Sequence, residues 1–310
     1  MKRIVAITLA LVICLGTCLS LTGCGEKKAD FTVGICQLME HESLDKATEG
    51  FKTALTAALE AEGKTVAFEE QVAGGSDLCT TVVDTFVAKE VDLIMANATP
   101  ALLAAANATT TIPVLGTSVT DYNDTFSGNI PANVSGTSDA VPFAEQAQMM
   151  IDSLKLVAGD QVGVLYCSDE SNSKIQYEAV KVLFEDKGIQ VKAYTFSETT
   201  ELEAMVTSAC GECKAIYVPS DNTVADNDSV VGNICNEKKI PVYTSYGGAI
   251  CYASLAIDYY KLGEQTGKMA AQILLGQKTP ADIEIATLTP SVVYNKDLCA
   301  ALGITVPAEN

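Results

Sequence analysis

Thr32-Val-Gly-Ile-Cys36 and Gln161-Val-Gly-Val-Leu-Tyr166 are two versions of one short apolar run, and the same order of elements follows each. The first leads through Glu49-Gly-Phe-Lys-Thr-Ala-Leu55 to a stop at Gly63. The second leads through Tyr177-Glu-Ala-Val-Lys-Val-Leu-Phe184 to a stop at Gly188. Further on, Val91-Asp-Leu-Ile-Met-Ala-Asn-Ala-Thr99 runs to Ile112-Pro113-Val114, and Ala215-Ile-Tyr-Val-Pro-Ser-Asp-Asn-Thr223 runs to Ile240-Pro241-Val242. From Gly34 to Gly163 is 129 positions, and from Pro113 to Pro241 is 128. A repeat of that length denotes two similar domains, not a solenoid of short units.

Within each copy, buried-strand patterns alternate with helical ones. Phe31–Cys36 reads as a strand, and Ser43–Ala61 as a helix with Leu44, Ala47, Phe51, Leu55, Ala58 and Leu59 at three- and four-residue spacings. Thr65–Phe68, Val91–Ala96 and Ile112–Leu115 read as strands, with helices at Asp77–Lys89 and Pro100–Ala108 between them. This alternation predicts α/β architecture: two Rossmann-like lobes, each a parallel sheet covered on both faces. Tyr122–Ser138, rich in Asn, Asp, Gly and Pro, reads as a linker. The expected boundaries are residues 31–138 with roughly 256–280 for the first lobe, and 139–255 with roughly 281–310 for the second. A helix at Tyr260–Leu275 and one strand at Thr287–Tyr294 close the chain.

The N-terminus is a different kind of sequence. Lys2 and Arg3 precede an apolar stretch, Ile4–Leu21, that ends in Leu21-Thr22-Gly23-Cys24. A basic start, an apolar core and small residues before a cysteine define an export signal, and the last four residues resemble a bacterial lipobox. Residues 1–23 are therefore expected to be removed and Cys24 to carry diacylglycerol and palmitate, with residues 24–30 as a tether. This predicts a lipoprotein on the extracytoplasmic face of the cell membrane. Removal takes two of the 20 basic and none of the 39 acidic residues, leaving 18 against 39, a charge of −21. That balance excludes a nucleic-acid surface, which needs a positive field.

Three of the 11 cysteines fall at or before position 24. The other eight read as small hydrophobes, since a chain this rich in Val, Ile, Leu and Ala has no need of disulfide staples. Exported yet thiol-rich, the protein fits a host living with little oxygen. Cys210-Gly-Glu-Cys213 has no second pair to complete a zinc site and closes a helix instead of opening one, so no metal, redox role or cofactor is expected. No phosphate-binding loop or hydrolase motif is present, which argues against an enzyme.

Ligands of open parallel sheets bind beyond the carboxyl ends of the strands, where helix starts present free N–H groups. The corners concerned are residues 37–42, 97–99, 118–121, 168–173, 220–223 and 245–248. They are polar and rich in hydroxyls. Met39-Glu-His-Glu-Ser-Leu-Asp45, Ala98-Thr-Pro-Ala101, Ser118-Val-Thr-Asp121, Ser171-Asn-Ser173, Pro219-Ser-Asp-Asn-Thr-Val224 and Asp258-Tyr-Tyr-Lys-Leu-Gly263 resemble, in order, the TrpX/YtlA-type substrate-binding proteins of ABC transporters. The resemblance runs from about Phe31 to the C-terminus. It implies a type I periplasmic-binding-protein fold with a hinge and, in part of the family, an aromatic amino acid as ligand. Tyr243-Thr-Ser-Tyr-Gly-Gly248 departs from it, since relatives often carry an acidic residue and a single glycine there.

An amino-acid ligand sets the candidate residues. Thr99, Ser171 and Thr223 are candidates for its carboxylate, and Asp121, Asp221 or Asp258 for its ammonium. Tyr166, Tyr246 and His41 are candidates for its side-chain walls, as the chain has no Trp. Asn172 and Asn222 both donate and accept, and Thr120 and Glu170 lie in the same corners. The expected partners are a small-molecule ligand, the membrane through the lipid, and an ABC transporter permease. A receptor for a sugar or other small polar solute, and a ligand sensor for a signalling partner, are the alternatives.

Overall fold

Gly34 and Gly163, the landmarks of the repeat, do the same steric job in both halves of the protein. A Cβ on Gly34 would lie 2.6 Å from the Phe86 ring, and one on Gly163 would lie 3.1 Å from Tyr194. In each half an aromatic side chain occupies the space that a Cβ on the first strand would need. The two prolines match as well. The carbonyl of Pro113 accepts from Ile94 N–H at 2.9 Å and that of Pro241 from Ile216 N–H at 3.0 Å. Each proline sits just ahead of its strand, where its missing N–H costs no ladder bond.

The computed structural model describes residues 29–307, and the chain from Phe31 onward forms one unit. The first half contains β1 (Phe31–Gln37), α1 (Glu42–Ala61), β2 (Val66–Val72), α2 (Cys79–Ala88), β3 (Leu93–Asn97), α3 (Thr99–Ala108), β4 (Val114–Val119), the short α4 (Tyr122–Thr125) and β5 (Val134–Ser138). The second contains α5 (Phe143–Leu154), β6 (Gln161–Cys167), α6 (Ser171–Glu185), β7 (Gln190–Phe196), α7 (Thr199–Glu212), β8 (Ala215–Val218), α8 (Asn222–Asp226), α9 (Asp228–Lys238), β9 (Val242–Thr244) and β10 (Ala253–Ala256). The chain ends with α10 (Tyr259–Leu274), β11 (Ala286–Thr287), β12 (Ser291–Tyr294) and α11 (Lys296–Leu302).

Two six-stranded sheets result, in the orders β11-β5-β4-β3-β1-β2 and β12-β10-β9-β8-β6-β7. All pairings are parallel except β10 with β12. Each sheet is buried on both faces. In the first lobe Val33, Ile35, Leu93 and Met95 meet Phe51, Leu55 and Leu59 of α1. Cys36, Ile94 and Ala96 meet Val83 and Phe86 of α2 and Leu102 of α3.

Two readings of the sequence change here. Tyr122–Ser138 is not a linker, because Val134–Ser138 is a fully buried strand of the first sheet. Its small polar side chains are buried with partners: Ser135 Oγ donates to Ile283 O at 2.7 Å, and the Thr137 hydroxyl meets those of Thr117 (3.1 Å) and Thr266 (2.8 Å). The expected single strand at Thr287–Tyr294 is two strands in different sheets. Ala286–Thr287 pairs with β5 and Ser291–Tyr294 with β10, so residues 281–287 run with the first sheet. Among the described residues the chain thus crosses between lobes three times, at residues 139–142, 257–258 and 288–290. Helix α10 belongs to the first lobe. It lies so close on α1 that a Cβ on Gly263 would come within 1.9 Å of the Ala47 carbonyl.

Candidate functional site

The carboxyl ends of both sheets face the three crossings, and the strand-to-helix corners meet there. The space they enclose is lined by His41, Leu44 and Ser118 from the first lobe, and by Ser220, Asp221, Asn222, Ala225 and Tyr246 from the second. Asp139 and Tyr259, beside two of the crossings, complete it. Among the hydrogen bonds that join the lobes are His41 Nε2 to Asn222 Oδ1 at 3.2 Å, and Gln176 Nε2 donating to Thr120 Oγ1 at 3.3 Å. Between them remains a cavity of about 10 Å³, room for a single water molecule.

Asp139 sits at the floor, 5% exposed, on the first crossing. Its carboxylate accepts from Thr120 Oγ1 at 3.1 Å and from the Tyr259 hydroxyl at 3.0 Å. Burial pushes its pKa up, against the pull of those two hydroxyls. No cation faces it among the described contacts, so it is a buried acceptor with its charge uncompensated. On the same lining, Ser118, one residue before the end of β4, is in a left-handed conformation (φ 55°), and its Oγ is buried without a hydrogen-bond partner. Left-handed backbone at a non-glycine residue is strained, and such strain gathers where a ligand is handled.

The second-lobe corner is built around two carboxylates. Glu170, 2% exposed, accepts from Asn222 N–H (2.9 Å) and Thr223 N–H (2.8 Å) at the start of α8, and from the side chains of Asn222 (2.7 Å) and Thr223 (2.8 Å). Asp221 caps the same helix through Val224 N–H (2.8 Å) and also accepts from Cys167 N–H (2.8 Å) and Ser173 Oγ (2.7 Å). Burial, then the neighbouring Glu170 charge, raises the Asp221 pKa well above the ordinary carboxylate range. Both oxygens of Asp221 are therefore engaged in holding the corner together. Tyr246 completes the wall, its hydroxyl donating to Asp228 Oδ1 at 2.6 Å. Burial lowers the His41 pKa, leaving a neutral ring to meet Asn222.

The structure brings His41, Asp221, Asn222 and Tyr246 onto the cavity and sets Thr120, Glu170, Asn172 and Thr223 directly behind it. Other residues expected from the sequence lie elsewhere. Tyr166 stacks on Tyr177 with ring centroids 5.3 Å apart, packed with Ala147 and Met150 on the far face of the second sheet. Asp121 caps α4 through Asp124 N–H, and exposed Asp258 caps α10 through Lys261 N–H and pairs with that lysine at 3.5 Å. Ser171 is exposed at the start of α6, and Thr99 is buried at the start of α3 outside the cavity lining. The sequence reading did not single out Asp139, Ser118 or Tyr259. The last two lie inside corners and motifs already quoted. Asp139 stands at the drawn lobe boundary, and an acid next to a crossing was its one signal.

Residues 32–309 match the family model described as ABC transporter substrate binding protein. The chain belongs to that family. The family's members are binding proteins, not enzymes, and this substrate-binding protein has relatives with stated ligands. It is 34% identical over 291 residues to a tyrosine-binding protein of Clostridioides difficile (strain R20291), covering 90% of this chain and 83% of that one. A Streptococcus pneumonia structure in complex with L-Trp matches with TM-score 0.80 and 33% identity over 89% of this chain and 96% of that one. A ligand-free, open structure of a Clostridium difficile substrate-binding protein with adhesive properties matches with TM-score 0.65 and 32% identity, covering 90% and 96%. Among the described residues of the substrate-binding protein, no helix is long and apolar enough to cross a membrane. Cys24 and the signal lie outside the described residues.

Proposed function

We propose that the protein captures an aromatic amino acid between its lobes and passes it to the permease of an ABC importer, held at the extracytoplasmic face by a lipid on Cys24. The observation that carries this reading is the lining of the inter-lobe space. One buried acceptor with no cation, Asp139, and one buried hydroxyl with no partner, Ser118, share that lining with the rings of His41, Tyr246 and Tyr259. An α-amino acid answers those demands together. Its ammonium satisfies Asp139, its carboxylate takes the Ser118 hydroxyl, and its ring lies among the aromatic walls. The tyrosine- and tryptophan-binding relatives support the same class.

The present space is far too small for such a ligand, so the lobes must part to admit it, bending at the three crossings. The higher TM-score to the tryptophan complex than to the open relative, at near-equal identity, supports a closed arrangement here. Titration calorimetry and thermal shift with L-Tyr, L-Trp, L-Phe, aliphatic amino acids and sugars test the reading. Ligand at 100 times its Kd adds about 2.7 kcal/mol of stability. A response confined to sugars, or to no amino acid at all, sinks it. The anchor is tested separately: Cys24→Ala should abolish palmitate labelling and release the protein from membranes.

A further inference from the structure

Cys210 and Cys235 face one another from α7 and α9, the helices packed on one face of the second sheet, with their sulfurs 3.5 Å apart. The pairing is not the one suggested by Cys210-Gly-Glu-Cys213. Cys213 turns the other way, its sulfur meeting the Tyr194 hydroxyl and Gln161 Nε2, each at 3.4 Å. A disulfide needs sulfurs at about 2.05 Å, so the two must approach by about 1.5 Å, within reach of side-chain rotation. We propose that Cys210 and Cys235 are a redox-active pair, closed to an intramolecular disulfide by a small-molecule disulfide oxidant.

The two sulfurs are placed for different steps. Cys210 is partly exposed and open to an oxidant, whereas Cys235 is 1% exposed behind it. The hydrogen bond between them, with Lys238 nearby, favours the Cys210 thiolate. That thiolate attacks one sulfur of the oxidant, forming a mixed disulfide and expelling the other sulfur as a thiolate. Cys235 then gives its proton to that leaving thiolate and attacks the Cys210 sulfur, expelling the second thiol, which takes a proton from water. Two protein thiols are oxidised, one external disulfide is reduced, and two small thiols leave. The bond joins α7 to α9, whose first residue, Asp228, holds the Tyr246 hydroxyl in the cleft wall. Cys36 and Cys79 hydrogen-bond in the first lobe but are both 0% exposed. They form a pair sealed from the oxidant and serve as an internal control.

The test uses the full-length protein in detergent, reduced and then exposed to oxidised glutathione. Remaining thiols are alkylated and peptides mapped after cleavage at Glu212 and Lys214, which separates Cys210, Cys213 and Cys235. The expected product is one new linkage, Cys210 to Cys235, with no glutathione retained and Cys36 and Cys79 still reduced. Closing that loop should raise the melting temperature by about 5 °C or more, reversibly with dithiothreitol. Cys210→Ser should abolish the rise and Cys213→Ser should retain it. Glutathione left on Cys210, full alkylation of both cysteines, or a link involving Cys213 overturns the proposal.

Discussion

Asn97, the last residue of β3, and Asp221, the residue that caps α8, each stand at the corner between a strand and the helix after it, and they have opposite chemistry. In the first lobe Asn97 donates its amide N–H groups to Leu44 O (2.8 Å) and Thr48 Oγ1 (3.0 Å). The α3 helix that follows has Ala98 at its N-cap, with no side chain capping its N–H groups. In the second lobe Asp221 caps α8, and Glu170 takes two further N–H groups of the same helix start. One corner keeps its partial positive charge and the other has cancelled it with two carboxylates. Duplication thus gave two similar lobes, and divergence at a single corner made the cleft electrically lopsided. A zwitterion suits such a cleft better than a neutral sugar.

The strongest way to break this comparison is to remove the second lobe's acceptor. Glu170→Ala leaves two backbone N–H groups and two side chains buried without their partner, and should cost about 3–4 kcal/mol of stability by urea denaturation. A loss under about 1 kcal/mol would mean that water replaces the carboxylate easily and that the corner is not built around it. Asp139→Asn sharpens the same contrast at the level of binding. It removes the proposed ammonium partner and should weaken an aromatic amino acid by 10- to 100-fold, about 1.5–3 kcal/mol. Folding stability should hold or rise, since a buried uncompensated charge is lost. Asp258→Ala, at an exposed helix cap, should leave affinity unchanged. Equal affinities of all three proteins in calorimetry would remove Asp139 from the site.

Much of the comparison was visible before the fold. The glycines at 34 and 163 and the prolines at 113 and 241 mark steric and hydrogen-bonding requirements that any copy must keep, so the two lobes could be aligned by eye. Hydrophobic alternation could not reveal β5, because Ser135, Thr137 and Ser138 are buried by pairing their hydroxyls, and polarity alone reads as loop. Nor could it place Tyr166. Side chains alternate between faces along a strand, so one residue of parity separates Tyr166, in the outer core with Tyr177, from Cys167, in the core cluster with Val224 and Tyr246. Asp139 escaped because crossings are defined by where two sheets end, which is tertiary information. The corners were legible as a set, but the sorting of aspartates into ligand partner, helix cap and corner brace was not.

The charge at the rim gives a pH test. Asp228 has its pKa raised to about 6, first by burial and then by Glu42 across the cleft, against the Tyr246 hydrogen bond. A carboxyl raised in the folded state binds its proton more tightly there than in the unfolded chain. Its charge therefore costs stability above about pH 6, and that cost is relieved as pH falls from 6 towards the ordinary aspartate range near 4. Asp228→Asn should stabilise the protein at pH 7.5 by on the order of 2 kcal/mol and confer little benefit at pH 4.5. Parallel melting curves at the two pH values read this directly. A gain of the same size at both would show that the benefit is not electrostatic.

Ser118 sets the smallest and most specific test. Its hydroxyl is one of three buried side-chain polar atoms without a partner among the described residues, and the only one of them on the cavity lining. Substituting alanine removes an unsatisfied group from the cleft lining, so the ligand-free protein should be slightly more stable, by less than about 1 kcal/mol. If that hydroxyl meets the ligand carboxylate, the same change should weaken binding about 5- to 10-fold. Opposite signs for stability and affinity are what a group reserved for a ligand must show. Ser118→Ala with both properties lowered would mean the hydroxyl braces the strained β4 corner instead, and the carboxylate would then have to be sought at the uncapped start of α3.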